Sequence, residues 1–113
     1  MSGNQQFDQA LKALSLKFSG ELPHKLGEIQ RLVHAVADNH TDNSALLSLH
    51  RTLHGLAAAA NTFGYPQLTD VARRLEQHVI ELIHAGPRAG SGVTALQMML
   101  DELLDRALTQ KAA

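Results

Sequence analysis

Seven histidines in a chain of 113 residues are the residues whose type could do chemistry near neutral pH. An imidazole can carry a proton, ligate a metal or act as a nucleophile, and its neighbours decide which. Two of the seven, His50 and His54, are four residues apart and are followed by a run of four alanines, 57–60. The others are expected to be surface residues without a specific role: His24, His34, His40, His78 and His84.

His54 is the ring best placed for contact with another molecule. It lies one position from a predicted core stripe, so its side chain is expected at the edge of the fold. The residues that share its helical face are His50, Arg51, Ala57, Ala58 and Asn61. Two of these are bases and two are very small, which leaves space beside the imidazole for another protein surface.

Glu76 is the carboxylate predicted to face His54. It directly follows the predicted core residue Leu75 on the next helix, and it shares a face with Arg73. A carboxylate facing an imidazole can hold one ring N–H, which fixes the tautomer and leaves the other nitrogen free as a nucleophile. The alternative is an ordinary solvated glutamate, or one that pairs with Arg73.

Apolar residues at intervals of three and four predict the helices that position these side chains. The first stripe extends from Phe7 to Val36, and Gly20 and Pro23 predict a break near residues 19–22, giving two helices or one bent helix. A polar turn is predicted over residues 38–44, with the next helix beginning near Ser44.

Glycine and proline mark the later helix ends. The second stripe ends at Phe63-Gly64, and Pro66 suits the first turn of a new helix, which predicts a tight helical hairpin. The next helix is predicted to end at residues 86–87, before a Gly/Ser-rich loop that continues through Gly92. The last stripe begins at Val93, and residues 109–113 are expected to fray.

Composition supports an all-α fold. Leucine (19 residues) and alanine (16) dominate, while β-branched and aromatic residues are sparse. We therefore expect an antiparallel up-and-down four-helix bundle with an additional N-terminal helix or helix extension. It should form one domain over residues 1–113, either a whole protein or part of a larger signalling protein.

Charge and hydropathy argue against several classes of function. The formal charge of −1 and the lack of a basic block argue against nucleic-acid binding. No run approaches the roughly 18 apolar residues of a membrane span, and the N-terminus does not resemble a secretion signal, so we expect a cytoplasmic protein. The chain has no cysteine, which removes disulfides, thiol nucleophiles and thiolate metal sites.

The stretch RTLHGLAAAANTFGYPQL at residues 51–68, with ARRLE at 72–76, resembles the histidine phosphotransfer (HPt) domain of bacterial phosphorelays. In that family a histidine is followed by small residues, a hydrophobe-glycine turn, a leucine, a small residue and Leu-Glu. Counted from His54 without a gap, these anchors are Gly64 at plus ten, Leu68 at plus fourteen, Ala72 at plus eighteen, and Leu75 and Glu76 at plus twenty-one and twenty-two.

The resemblance implies a phosphoryl carrier. His54 would accept a phosphoryl group through Nε2 from a receiver aspartyl phosphate or from a histidine kinase, and pass it to another receiver. Glu76 would orient the imidazole. The docking surface would be shaped by His50, Arg51, Ala57, Ala58, Asn61 and Arg73. Such a domain is expected to be monomeric, with no ATP site, metal or cofactor of its own, because Mg²⁺ would belong to the partner receiver.

Two departures from the family pattern leave other readings open. Ala57 and Ala58 stand where the family commonly has Lys-Gly, so positive charge near the phosphate would have to come from neighbours such as Arg73. An alignment shifted by three residues would put Arg51 at the phosphorylated position and make the domain inactive, but the ungapped alignment keeps every later anchor in register.

Two functions of other classes remain as alternatives. One is a helical adaptor that does not transfer phosphate. The other is a metal site, because His50 and His54 have the i, i+4 spacing of two ligands on one helix, and Glu76 or His78 would add a third. Arg51 between the two histidines argues against bound cations.

Overall fold

Four helices account for nearly all of the residues that the computed structural model describes, which are 2–39, 43–86 and 90–109. They are α1 (Ser2–Asp38), α2 (Asn43–Thr62), α3 (Pro66–Ala85) and α4 (Gly90–Thr109). Each helix packs against two others: α2 lies between α1 and α3, and α4 closes the ring between α3 and α1. The all-α bundle predicted from composition and periodicity is confirmed.

The core is formed by the predicted stripes. Leucine and valine side chains from all four helices are buried, and the largest with almost no exposure include Ile29, Leu46, Leu49, Leu53, Leu56, Leu68, Leu75, Leu96 and Leu103. Because the helices meet along these stripes, the residues one position to either side lie at the seams between helices. His54 and Glu76, the predicted site residues, lie at the seam between α2 and α3.

The predicted break near residues 19–22 is wrong, because α1 is one continuous helix of 37 residues. Pro23 lies inside it and cannot donate to the carbonyl of Ser19, a loss that usually costs about 3 kcal/mol. Both Ser19 and Pro23 are exposed, so water can bind the freed carbonyl. Leu22 and Leu26 are buried against the bundle on either side of the proline and hold both turns in place.

The N-terminal part of α1 extends beyond the bundle. A helix of this length spans about 55 Å, and the molecule measures 58 × 23 × 19 Å. Phe18 is the first buried residue of the stripe, whereas Phe7, Leu11 and Leu14 are exposed. The three-four spacing therefore continues through residues that have no helix of the bundle beside them.

The hairpin between α2 and α3 has the predicted glycine stop. Gly64 has a φ of 81°, a conformation that favours glycine, and the Tyr65 N–H donates to the Ala60 carbonyl at 2.9 Å. Pro66 then begins α3. The Tyr65 ring is buried edge-on against Phe18, with the ring centroids 5.4 Å apart. This turn sets the register of α2 against α3.

The connection before α4 is shorter than the sequence suggested. The predicted Gly/Ser-rich loop extends too far, since α4 begins at Gly90 rather than after Gly92; residues 87–89 of that loop lie outside the described residues. A Cβ at position 92 would lie 2.5 Å from Leu82 Cδ2, so glycine allows α4 to approach α3 closely. His78 Nε2 lies 2.9 Å from the Gly92 carbonyl oxygen and donates to it, which ties the two helices together.

The other predicted boundaries hold where the structure describes them. Asp38 ends α1 and Asn43 begins α2, one residue before the predicted Ser44, while residues 40–42 of the predicted turn, including His40, lie outside the described residues. Thr109 ends α4, and residues 110–113 of the segment expected to fray also lie outside them.

Candidate functional site

His54 lies on the edge of α2 that faces α3. Its neighbours Leu53 and Leu56 are fully buried, and the imidazole lies beside this stripe with 71% of its side chain exposed. A histidine one position from the core is held by a rigid helix while its ring remains open to solvent. The position predicted from the helical stripe is the one observed.

Glu76 reaches His54 from α3. Its side chain is 16% exposed, and its Oε2 lies 2.8 Å from His54 Nδ1. A carboxylate can only accept hydrogen bonds, so Nδ1 carries the proton and donates to it. The neutral ring then has its lone pair on Nε2, the nitrogen that makes no contact with Glu76. In its neutral form, the exposed ring therefore has its lone pair on Nε2.

His50 lies close to the same carboxylate oxygen. Its Nε2 lies 3.2 Å from Glu76 Oε2, and its ring is nearly parallel to that of His54, with the centroids 6.2 Å apart. Sequence reasoning placed His50 on the docking surface and missed this contact. The signal was present, because residues four apart on a helix share a face and can reach one acceptor on the neighbouring helix.

A shallow depression of about 280 Å³ adjoins the imidazole. It is lined by His54, Ala57, Ala58, Arg73 and Glu76. Ala57 is buried and Ala58 is exposed, so the alanines provide a floor without covering the ring. Arg73 lines the depression and supplies positive charge there, which partly compensates for the absence of a lysine at position 57.

Three predicted docking residues lie outside this depression: His50, Arg51 and Asn61. Arg51 and Asn61 are both exposed on α2, and neither lines the depression beside His54. Exposure is compatible with docking but does not show it. In the shifted alignment Arg51 would occupy the reactive position, whereas His54 is the residue that binds Glu76.

The arrangement does not match the metal alternative. Among the described residues, no three His, Asp or Glu side chains are placed as metal ligands. His54 Nδ1 and Glu76 Oε2 are in direct hydrogen-bond contact. His78, offered as a third ligand, instead donates to the Gly92 carbonyl at the seam with α4.

A second polar cluster lies on the other side of α3. Arg74 donates to Glu102 at 2.9 Å and to Asp70 at 3.1 Å. The hydrogen bond with Glu102 raises the pKa of the guanidinium above its ordinary value, helped by the charges of both carboxylates, while partial burial opposes the rise. These residues and Arg106 border a larger depression of about 350 Å³ between α3 and α4.

The family model for the Hpt domain matches residues 6–106, which is most of the chain. The chain belongs to the Hpt family. Hpt domains are helical phosphocarrier modules of phosphorelays that interact with receiver domains and kinases, and they are not enzymes with a catalytic site of their own. No match was found among curated proteins or among solved structures. None of the described helices of this Hpt domain is long and apolar enough to cross a bilayer.

Proposed function

We propose that His54 is the phosphoacceptor of this Hpt domain, taking the phosphoryl group from a receiver aspartyl phosphate or a histidine kinase and passing it to another receiver. The observation that carries the proposal is the contact between His54 Nδ1 and Glu76 Oε2, because in the neutral ring it puts the lone pair on the exposed Nε2. The setting would be the cytoplasm of a bacterium.

The reaction follows from this tautomer. The Nε2 lone pair attacks the phosphorus of the aspartyl phosphate, an N–P bond forms, and the P–O bond to the receiver aspartate breaks with its electron pair leaving on the carboxylate. His54 keeps its Nδ1 proton, so the ring gains positive charge as the bond forms. Glu76, 2.8 Å away, stabilises that charge and holds the ring orientation. The reverse steps pass the group on.

The surroundings of His54 suit docking of a receiver. Ala57 and Ala58 keep the depression open, so a receiver can bring its aspartate to Nε2 without meeting a large side chain. Arg73 lines the same depression and would offset the negative charge of the phosphoryl group. The chain brings no cofactor in this scheme, and Mg²⁺ would be held by the receiver.

Phosphate incorporation tests the acceptor directly. Receivers from the same genome, loaded with labelled acetyl phosphate, should transfer acid-labile label to the wild-type domain and none to His54→Gln. His84→Gln is the matched control, because His84 is an exposed histidine on α3 outside the site, and it should label normally. Label retained by His54→Gln, or no label on the wild type from any receiver, would contradict the proposal and favour the adaptor alternative.

A second variant tests the docking geometry. Ala58→Leu adds a branched side chain beside the imidazole, and we expect it to abolish transfer from the receiver while the helical circular dichroism signal is unchanged. Ala58→Ser keeps the residue small and should transfer at close to the wild-type rate. Normal transfer by the leucine variant would mean that the receiver approaches His54 from another side.

A further inference from the structure

One carboxylate oxygen in this molecule lies within 3.2 Å of a nitrogen from each of two imidazoles. Glu76 Oε2 lies 2.8 Å from His54 Nδ1 and 3.2 Å from His50 Nε2. We propose that His50 is a positioning residue, which fixes the Glu76 carboxylate so that His54 stays in the tautomer with its proton on Nδ1. This rests on the proposed function for its consequence in phosphotransfer, but not for its effect on the tautomer.

The proton positions follow from the chemistry of the carboxylate. It has no proton to donate, so His54 Nδ1 is the donor in the hydrogen bond with Glu76. We infer that His50 Nε2, 3.2 Å from the same oxygen, also carries its proton, because a lone pair there would face the negative charge of the carboxylate. The two neutral rings are then in opposite tautomers, and His54 keeps the lone pair on Nε2.

Exposure separates the roles of the two rings. The His50 side chain is 35% exposed and that of His54 is 71% exposed. The ring that is more enclosed is better suited to holding a partner in place, and the more open ring is better suited to meeting a receiver. Both rings project from one face of α2 in nearly parallel planes, as the i, i+4 spacing requires.

A second donor matters because a glutamate side chain has several rotatable bonds. With His54 as its only partner, the carboxylate can swing away, and His54 can then place its proton on Nε2, where it blocks the lone pair that attacks phosphorus. The second contact, from His50 on the same rigid helix, restricts that freedom. Residues that orient metal-ligating histidines typically change activity by about ten-fold or more when they are removed, and we expect a similar effect for a residue that orients a nucleophilic histidine.

Nitrogen NMR of the unphosphorylated domain measures the tautomer without any transfer reaction. The long-range ¹H–¹⁵N spectrum of wild type should show His54 as the Nδ1–H form. In His50→Leu, which removes the donor and keeps an apolar side chain, the His54 signals should shift towards a mixture with the Nε2–H form. His84→Leu is the control and should leave the His54 signals unchanged. A pure Nδ1–H form in His50→Leu would overturn the proposal.

A double-mutant cycle tests whether His50 acts through Glu76. His50→Leu should slow transfer from a loaded receiver by about ten-fold in the wild-type background, and should have no further effect in a Glu76→Ala background, because the carboxylate it positions is gone. Equal slowing in both backgrounds would overturn the proposal and assign His50 to receiver docking.

The two measurements separate this inference from the proposed function. If the His54 tautomer depends on His50 but the wild-type domain accepts phosphate from no receiver, the positioning role stands and the phosphoacceptor role fails. If the wild type is labelled on His54 while its tautomer is independent of His50, the opposite holds.

Discussion

Arg74 and Glu76 stand two positions apart on α3, and each is the centre of a cluster with two other polar side chains. Only the cluster around Glu76 is suited to chemistry. Arg74 faces α4 and directs its donors to Asp70 and Glu102. Glu76 faces α2, accepts a hydrogen bond from His54 and lies 3.2 Å from His50 Nε2. Leu75 between them points into the core. These three consecutive residues therefore face two different surfaces and the core.

The difference lies in what each cluster leaves available. The guanidinium and the carboxylates around Arg74 are charged groups that satisfy one another at an open surface, where such pairs stabilise a protein by about 0–1 kcal/mol. In the Glu76 cluster the more exposed ring, that of His54, keeps a lone pair on Nε2 in its neutral form. The depression beside Arg74 is the larger, about 350 Å³ against 280 Å³. The free nitrogen, rather than the size of the cavity, marks the candidate site.

The substitution with the largest expected effect should disturb both clusters at once. Leu75 is fully buried between Arg74 and Glu76, and Leu75→Ala leaves a cavity that should lower the free energy of unfolding by about 2–5 kcal/mol. Urea denaturation measures this, with the exposed neighbour Gln77→Ala as a control expected within about 0.5 kcal/mol of wild type. A loss below 1 kcal/mol for Leu75→Ala would mean that the two surfaces do not share a rigid helix.

Glu76→Ala should affect function far more than stability. We expect transfer from a loaded receiver to slow by about ten-fold, because the imidazole loses its orienting acceptor and the stabilisation of its positive charge. The bundle should stay folded by circular dichroism. Glu81→Ala, which removes an exposed acid one turn further along α3, is the matched control. An unchanged rate for Glu76→Ala would remove the orienting role.

Arg74→Met should show the reverse pattern and the smallest effect. Its transfer rate should equal that of wild type, and its free energy of unfolding should fall by no more than about 1 kcal/mol. The difference from wild type should shrink at high salt, which screens exposed charges. Because the pKa of Arg74 is raised, the guanidinium keeps its charge until the pH rises through that strongly alkaline pKa, so salt rather than alkaline pH is the practical variable. Slower transfer would show that the second cluster also serves the reaction.

Local patterns in the sequence predicted most of the fold. The three-four spacing identified the stripes, and the Gly64-Tyr65-Pro66 turn identified the hairpin, because the conformation of such a turn depends on its own residues. Pro23 misled the prediction, since its local cost is outweighed by the burial of Leu22 and Leu26 against other helices. That compensation is tertiary, so no local pattern reports it.

The candidate site could be predicted from the sequence to about the same extent as the fold. The spacing of His54 and Glu76 from their core stripes placed both at the same seam, and the structure shows the contact. The i, i+4 pair of Asp70 and Arg74 was also visible in the sequence, but Glu102 belongs to a distant helix whose rotation no motif specified. That both histidines share a single oxygen depends on side-chain rotamers, which are set only once α2 and α3 are packed.

The continuous α1 helix is packed against the bundle over one part of its length and exposed over the other. The amides of these two parts should therefore exchange with solvent at different rates. Amides after Pro23, where the stripe is buried from Leu26 to Val36, should exchange with solvent at rates near that of global unfolding. Amides before Phe18 lie on a helix whose apolar residues Phe7, Leu11 and Leu14 are exposed, so they should exchange by fraying, long before the bundle opens. A single helix would then show two classes of amide exchange rate, one set by fraying of its N-terminal part and one set by unfolding of the whole domain.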